Sequence, residues 1–454
     1  MRAAAVAVFL IVTFMVTLRR PFIGALAIVA CAVLRDTLLL ETYGAFFRYH
    51  GFEVLYIATI AGVFIFHTHR LNDFVPRGLC DWAMLGFLAI MVISAVVNGV
   101  NVFGHKYIDL FFKAVVLYFL LSRLADSPRR VLAVALVLIA CTSYLAYLAW
   151  SKFRDGTFSW ARPYEFSQIH DFGLLLVITL PLIGALLAWR VWLPVRLVLF
   201  GLIPLFVLTT LRTTSRSAML GCGFGIALLA WYHRKRWYWL IPAIPFVAYA
   251  IVHQPERIVL RLESIWTHKT ETGETDQSIA SRFEQMRTAA RVIKSNPLFG
   301  IGPRQYFMRY TDYQSEEDQM RHGRQVKYTM HSVPLLILCE EGLLGGAMYG
   351  MILLGALLDA WFVVRRTRGD PKMHAVGVVA AGGLMCFIAF LGYSLGQPAM
   401  WVINIYATVA LVRATRLTVE AHLAQAAREQ EPVAGTPAPW MPRPATAETE
   451  VVFT

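Results

Sequence analysis

Residues 327–346 read "KYTMHSVPLLILCEEGLLGG". A polar segment ends here, and an apolar run begins that extends to about residue 363. That is long enough to cross a bilayer, whose hydrocarbon core takes about 20 helical residues. Two features sit badly with a plain lipid-crossing helix. His331 stands at its threshold, and Glu340 and Glu341 lie inside it. A carboxylate at such depth is costly and is by default functional or paired.

The rest of the chain repeats the apolar pattern. Of 454 residues, 57% are hydrophobic and 16% are charged, with mean hydropathy +0.55. A soluble domain carries about a quarter charged residues. Apolar blocks fall near 3–18, 20–34, 52–67, 81–99, 106–122, 129–150, 172–189, 196–211, 216–231, 237–253, 333–363, 375–395 and 400–413. The expected fold is all-α, a polytopic membrane protein with about 12–13 transmembrane helices and one large loop that contains helices. The sequence divides into an N-terminal transmembrane bundle (1–253), the long polar loop (254–332), C-terminal transmembrane helices (333–418) and a tail (419–454). Its "EQEPVAGTPAPWMPRPATAETE" predicts little order.

The net charge of +13 raises the question of nucleic acid. The basic residues answer it by sitting in short clusters between apolar blocks: Arg19–Arg20, His69–Arg70, Arg123 with Arg129–Arg130, Arg190 with Arg196, "HRKR" at 233–236, "RRTRGDPK" at 365–372, and Arg413 with Arg416. All fall on one side if the spans alternate. The positive-inside rule makes that side cytoplasmic and puts the 254–332 loop on the other, with no nucleic-acid partner implied. Cys31, Cys80, Cys141, Cys222, Cys339 and Cys386 lie in or beside apolar blocks without metal-ligand spacing, so they read as small core side chains. In the opening "MRAAAVAVFLIVTFMVTLRR" the double arginine follows the apolar stretch directly, without a small-residue cleavage site after it, so it reads as a retained helix.

Chemistry concentrates at the loop. In "SRFEQMRTAARVIKSNP", Phe283, Met286, Ala290 and Ile293 recur at helical spacing, Ser281 and Glu284 form S-x-x-E, and Asn296–Pro297 ends the pattern. This predicts a helix with Arg282 as its first residue, where free N–H groups and a guanidinium suit an anion, most naturally phosphate. Arg212 and Arg216 flank a turn between two spans, and Arg216 opens a helix where a cation opposes the dipole unless an anion answers it. Ser332 can cap the next helix and Pro334 fits its first turn, so His331 lies just outside a helix start. The dipole there favours neutral imidazole, as a general base requires. Glu340 falls roughly 13 Å further along the same helix and suits a supporting role, such as holding an arginine. Lys152, Arg154, Arg162, His170 and Asp171 lie beside aromatics in an earlier loop, a weak sugar-and-phosphate signal. "GIGPRQY" is too short for a nucleotide loop.

Together "TTSRSAML", then "SRFEQMRTAARVIKSNPLFGIGPRQYF", then "HSVPLLILCEEGLLGG" resemble the O-antigen ligase and polymerase superfamily of bacterial inner-membrane glycosyltransferases. The resemblance covers about residues 210–350. It implies transfer of a glycan from undecaprenyl diphosphate at the periplasmic face, without cofactor or metal. Arg216 and Arg282, with Arg212 beside them, would contact the diphosphate, His331 would be the catalytic base, and Glu340 would be the glutamate of the following helix. Glu341 departs from the pattern, since an apolar residue is usual there. The acceptor implied is lipid A–core oligosaccharide, another glycan or a protein, in lipopolysaccharide biosynthesis or a related glycosylation. A polymerase or a protein O-glycosylation ligase would use the same donor. A transporter of polyprenyl-linked sugars would also need outer and intramembrane charges, but with charged positions spread along a pathway and repeated halves.

Overall fold

The computed structural model of the protein describes residues 12–34, 39–100, 102–152, 169–187, 189, 192–213, 215–232, 277–322, 327–397 and 403–430. The expected span at 237–253, Arg154 and Arg162 lie outside the described residues, as do the side chains of Lys152, His170 and Asp171.

The described residues contain helices and no strand, and the protein is an all-α polytopic membrane protein. Its longer helices are α1 (Pro21–Leu34), α2 (Leu39–Phe66), α3 (Leu79–Val97), α4 (Val102–Leu124), α5 (Pro128–Lys152), α6 (Ile169–Leu187), α7 (Leu193–Arg212) and α8 (Arg216–Tyr232). After residue 276 come α9 (Gln277–Ser295), three short pieces, α10 (Gln305–Met308), α11 (Tyr310–Tyr313) and α12 (Glu316–His322), and then α13 (Val333–Glu340), α14 (Gly342–Arg366), α15 (His374–Ser394) and α16 (Ile403–Gln430). Among the described residues, five helices are long and apolar enough to cross a membrane, and six if a bent pair at His67 counts as one span. They are α3, the Pro128–Trp150 part of α5, α7, α14 and α15.

Most apolar blocks thus become helices close to where hydropathy places them, and the run at 333–363 is the exception. It breaks at Glu341 into α13 and α14, because Gly342 takes a left-handed backbone, φ +69°. A β-carbon on Gly342 would collide with the Leu298 carbonyl. Downstream, α16 continues to Gln430, into the stretch read as a tail, through "EAHLAQAAREQ", whose Ala, Leu, Gln, Glu and Arg all favour helix. Past Val419, where the main unit ends, only the end of α16 is described.

Helices α6, α8 and α15 pack against one another at the centre of the main unit. Gly221 of α8 brings its backbone onto Val177 of α6 and Tyr393 of α15, the close approach that small residues allow between membrane helices. Helix α3 packs against α14, and α3 is fixed at both ends. Near its start, Asp81 is fully buried and accepts from Arg123 Nη2 (2.6 Å), Arg413 Nη2 (3.1 Å), the Tyr118 hydroxyl (2.5 Å) and the Arg77 amide (2.9 Å). Arg413 also donates to Asp359 (3.1 Å), which accepts from Arg416 as well (3.0 Å). Four helices, α3, α4, α14 and α16, therefore meet at one buried ion network. Near the other end of α3, the Ser94 hydroxyl donates to the Phe299 carbonyl (2.5 Å) and the Glu340 carbonyl (3.0 Å), and Asn98 donates to the Gly300 carbonyl (3.2 Å). That end of the bundle carries His331.

Candidate functional site

The floor of the site is a main-chain clamp between the 297–302 turn and the α13–α14 break. Ile301 N–H donates to the Cys339 carbonyl (2.9 Å), Gly302 N–H to the Glu340 carbonyl (2.8 Å), and Leu343 N–H to the Pro297 carbonyl (2.8 Å). Gly300, at φ +64°, passes so close to residues 339 and 340 that a β-carbon would lie 2.5 Å from their main-chain atoms. "GIGPRQY" is thus a packing turn. Inside it Glu340 Oε1 accepts from the Tyr306 amide (3.1 Å), and the Arg304 guanidinium is near enough to act on the carboxylate. Glu340 braces this turn from the end of an eight-residue helix, not from deep within a continuous span.

On the clamp stands a small core separate from the main one: Ala289, Val292, Ile301, Tyr306, Tyr310, Met330, Leu336 and Cys339. It sets how α9 faces. The helix begins at or before Gln277, so Arg282 lies within it and not at its first turn, and the anion site expected from a helix start is not formed there. The S-x-x-E box is not used either. Residues 277–280, "QSIA", extend the helix upstream, while buried Glu284 accepts from the Tyr310 hydroxyl (3.0 Å) and Gln314 Nε2 (2.7 Å). The buried face of α9 is Glu284, Gln285, Thr288, Ala289 and Val292, while Phe283 and Met286 of the expected stripe point outward.

His331 precedes α13 as the sequence predicts, with Ser332 at the N-cap and Pro334 in the first turn, but the Ser332 side chain makes no capping hydrogen bond. Gln285 fixes the main chain, its Oε1 accepting from the His331 amide (3.2 Å). Gln397, just past α15, fixes the ring, its Oε1 lying 3.4 Å from His331 Nδ1. The tautomer that donates to this oxygen carries its proton on Nδ1 and leaves Nε2 as the basic nitrogen. The imidazole pKa lies below its ordinary value, chiefly because the ring is partly buried and also because the Arg282 guanidinium is nearby; Gln397 works in the opposite direction. The neutral form expected at working pH is thus favoured, with burial and a neighbouring cation as the causes.

Arg216 opens α8, where the Ser215 hydroxyl accepts from the Ala218 amide (3.4 Å) as an N-cap. The next residue, Ser217, packs its side chain against Gly396, the neighbour of Gln397. His331 and the start of α8 are in this way linked through Gln397 and Gly396, and Arg282 is near enough to act on the His331 ring. Arg212, at the end of α7, has its guanidinium 3.7 Å from the Trp150 ring centroid, a cation–π stack. Sequence reasoning did not find Gln285 or Gln397. An uncharged glutamine carries no motif, and 46 and 66 positions separate these two from His331.

Residues 201–350 match the family model described as O-Antigen ligase. The matched region contains Arg212, Arg216, Arg282, His331 and Glu340. No curated protein matches the chain.

Proposed function

We propose that this protein, whose residues 201–350 match the O-antigen ligase family model, is a glycosyltransferase that transfers a glycan en bloc from undecaprenyl diphosphate to an acceptor hydroxyl. The favoured acceptor is lipid A–core oligosaccharide, and the reaction runs at the periplasmic face of the bacterial inner membrane. The supporting observation is the His331 ring, held at Nδ1 by Gln397 and shifted toward its neutral form by burial and Arg282.

In this reading Nε2 of His331 takes the proton of the acceptor hydroxyl. The hydroxyl oxygen bonds to the anomeric carbon as the bond from that carbon to the diphosphate oxygen breaks, and undecaprenyl diphosphate leaves with the electron pair. Direct displacement inverts the anomeric centre. Arg216 and Arg282 offset charge growing on the diphosphate, electrostatic stabilisation placed where charge develops. Arg212 extends the cationic rim. Glu340 keeps the 302–306 turn in place beneath it.

The test is transfer by purified protein from lipid-linked donor. His331→Ala, Arg216→Ala and Arg282→Ala should each abolish or nearly abolish product, and chelation should leave the wild-type rate unchanged. Full activity of His331→Ala would remove the base from the scheme. A ladder of lengthened donor-linked chains, in place of single transfer to the acceptor, would identify a polymerase, and uptake of lipid-linked sugar without bond formation would identify a transporter.

A further inference from the structure

The face of α9 that turns away from the small core is apolar where a loop in water would be polar. Phe283 and Met286 are 61% and 52% exposed and Ala290 is exposed, at steps of three and four, while Ile293 at the edge of this face packs against the small core. Burying a side chain such as Phe or Met is favourable by about 1.5–3 kcal/mol, so a helix that leaves two of them bare forgoes that stabilisation unless something covers them. The stripe leads toward Leu298, 57% exposed, beyond the end of the helix. The Leu298 carbonyl accepts from the Leu344 amide (3.3 Å), and the preceding Pro297 carbonyl accepts from Leu343. Leu343 and Leu344 are exposed in the first turn of α14, a membrane-crossing helix. The chain just past α9 is therefore tied to the first turn of a helix long and apolar enough to cross a membrane. Beside the bare face of α9 stands Lys294, exposed, a cation of the kind that flanks helices lying at a membrane surface, and Arg287, also exposed but paired with Asp318 (3.5 Å).

We propose that α9 is an interfacial helix. Phe283, Met286 and Leu298 enter the headgroup–acyl boundary of the adjoining leaflet, and Lys294 meets the phosphates of anionic phospholipids. Arg282 and Gln285 ride on this same helix. Under the transferase reading, on which this one consequence rests, lipid contact sets Arg282 at the height where a lipid-borne diphosphate emerges.

The experiment uses the full chain in nanodiscs of phosphatidylcholine and phosphatidylglycerol, with an environment-sensitive fluorophore on Met286→Cys or, separately, Phe283→Cys. Among the native cysteines five are buried and Cys31 is partly so, which limits background labelling. Asp312→Cys, an exposed site on α11, serves as the control. The probe at 286 or 283 should show blue-shifted emission and quenching by a phospholipid carrying a nitroxide high in its acyl chain, while the probe at 312 is quenched by aqueous iodide. Iodide quenching at 286 and 283 with no effect of the nitroxide lipid would overturn the proposal. So would a blue shift that persists in detergent and depends on protein concentration, since that would mark a second copy of the chain as the covering partner. No turnover is measured, so this proposal and the transferase reading fail independently.

Discussion

Replacing Gln397 by Leu tests the geometry of the site most directly. Its Oε1 is 3.4 Å from His331 Nδ1. When Nε2 accepts a proton, the Nδ1–H becomes a charged donor. Hydrogen bonds of charged groups contribute about 1.5–3 kcal/mol, against about 0.5–1.5 for neutral ones, and only the increment gained toward the transition state accelerates the reaction. At 3.4 Å the bond is long, which selects the low end of the range, about 1 kcal/mol. That increment corresponds to about a fivefold fall in kcat, with KM for the donor little changed. The pH profile carries the sharper signature. The Gln397 bond favours imidazolium, so its loss should lower the His331 pKa further and move the acidic limb of kcat/KM to lower pH. Gln397→Glu, which places a carboxylate at the same ring nitrogen, should move the limb up. The assay is initial-rate transfer from lipid-linked donor across pH. A Gln397→Leu protein with unchanged kcat and an unmoved limb would refute the positioning role. Equal falls in Leu and Glu variants with no limb shift would mean that Gln397 matters for packing alone.

Three other outcomes are expected. For wild type, activity should persist below pH 6.5 and be lost as pH falls through the depressed His331 pKa; in Arg282→Gln, with the neighbouring cation gone, the midpoint should rise toward 6.5 as turnover drops. Gly342→Ala puts a side chain into a left-handed backbone, at about 1–2 kcal/mol, and against the Leu298 carbonyl, so the melting temperature in detergent should fall and transfer should weaken; an unaltered melt would deny the clamp its role. Asp81→Asn takes the carboxylate from buried Arg123 and leaves Arg413 with Asp359 alone, and destabilisation of about 3–5 kcal/mol is expected in chemical or thermal denaturation, with Arg413→Met losing a comparable amount.

How far these features could be read from the chain depended on their range. Apolar blocks are local, and the helices they predict lie close to α1–α8, α15 and the start of α16. Helical spacing in "SRFEQMRTAARVIKS" gave the existence of α9 but not its orientation, because periodicity identifies an apolar face without saying what covers it. The inward face is instead held by Glu284 and Gln285, whose partners lie in α11, after it, and at His331. The break between α13 and α14 had a local sign in the glycine after two glutamates, but hydropathy runs through it unchanged. The Asp81–Arg413 contact joins residues 332 positions apart. Asp81 and Asp359 inside otherwise apolar spans were its visible trace, since buried acids in membrane helices need partners. The convergence of His331 with Arg282 was readable only through family resemblance, and Gln397 was not readable at all.

Pinning α3 at both ends has a mechanical consequence. A rod bolted by Asp81 below and by Ser94 and Asn98 above can neither piston nor roll without breaking main-chain and ionic ties together. Under the transferase reading, any widening that admits a lipid tail is easier where Gly221 of α8 meets Val177 and Tyr393, a contact of packed side chains and not of ionic ties. On that reading, crosslinking across the seam should block use of the lipid-linked donor, whereas crosslinking α3 to α14 should not.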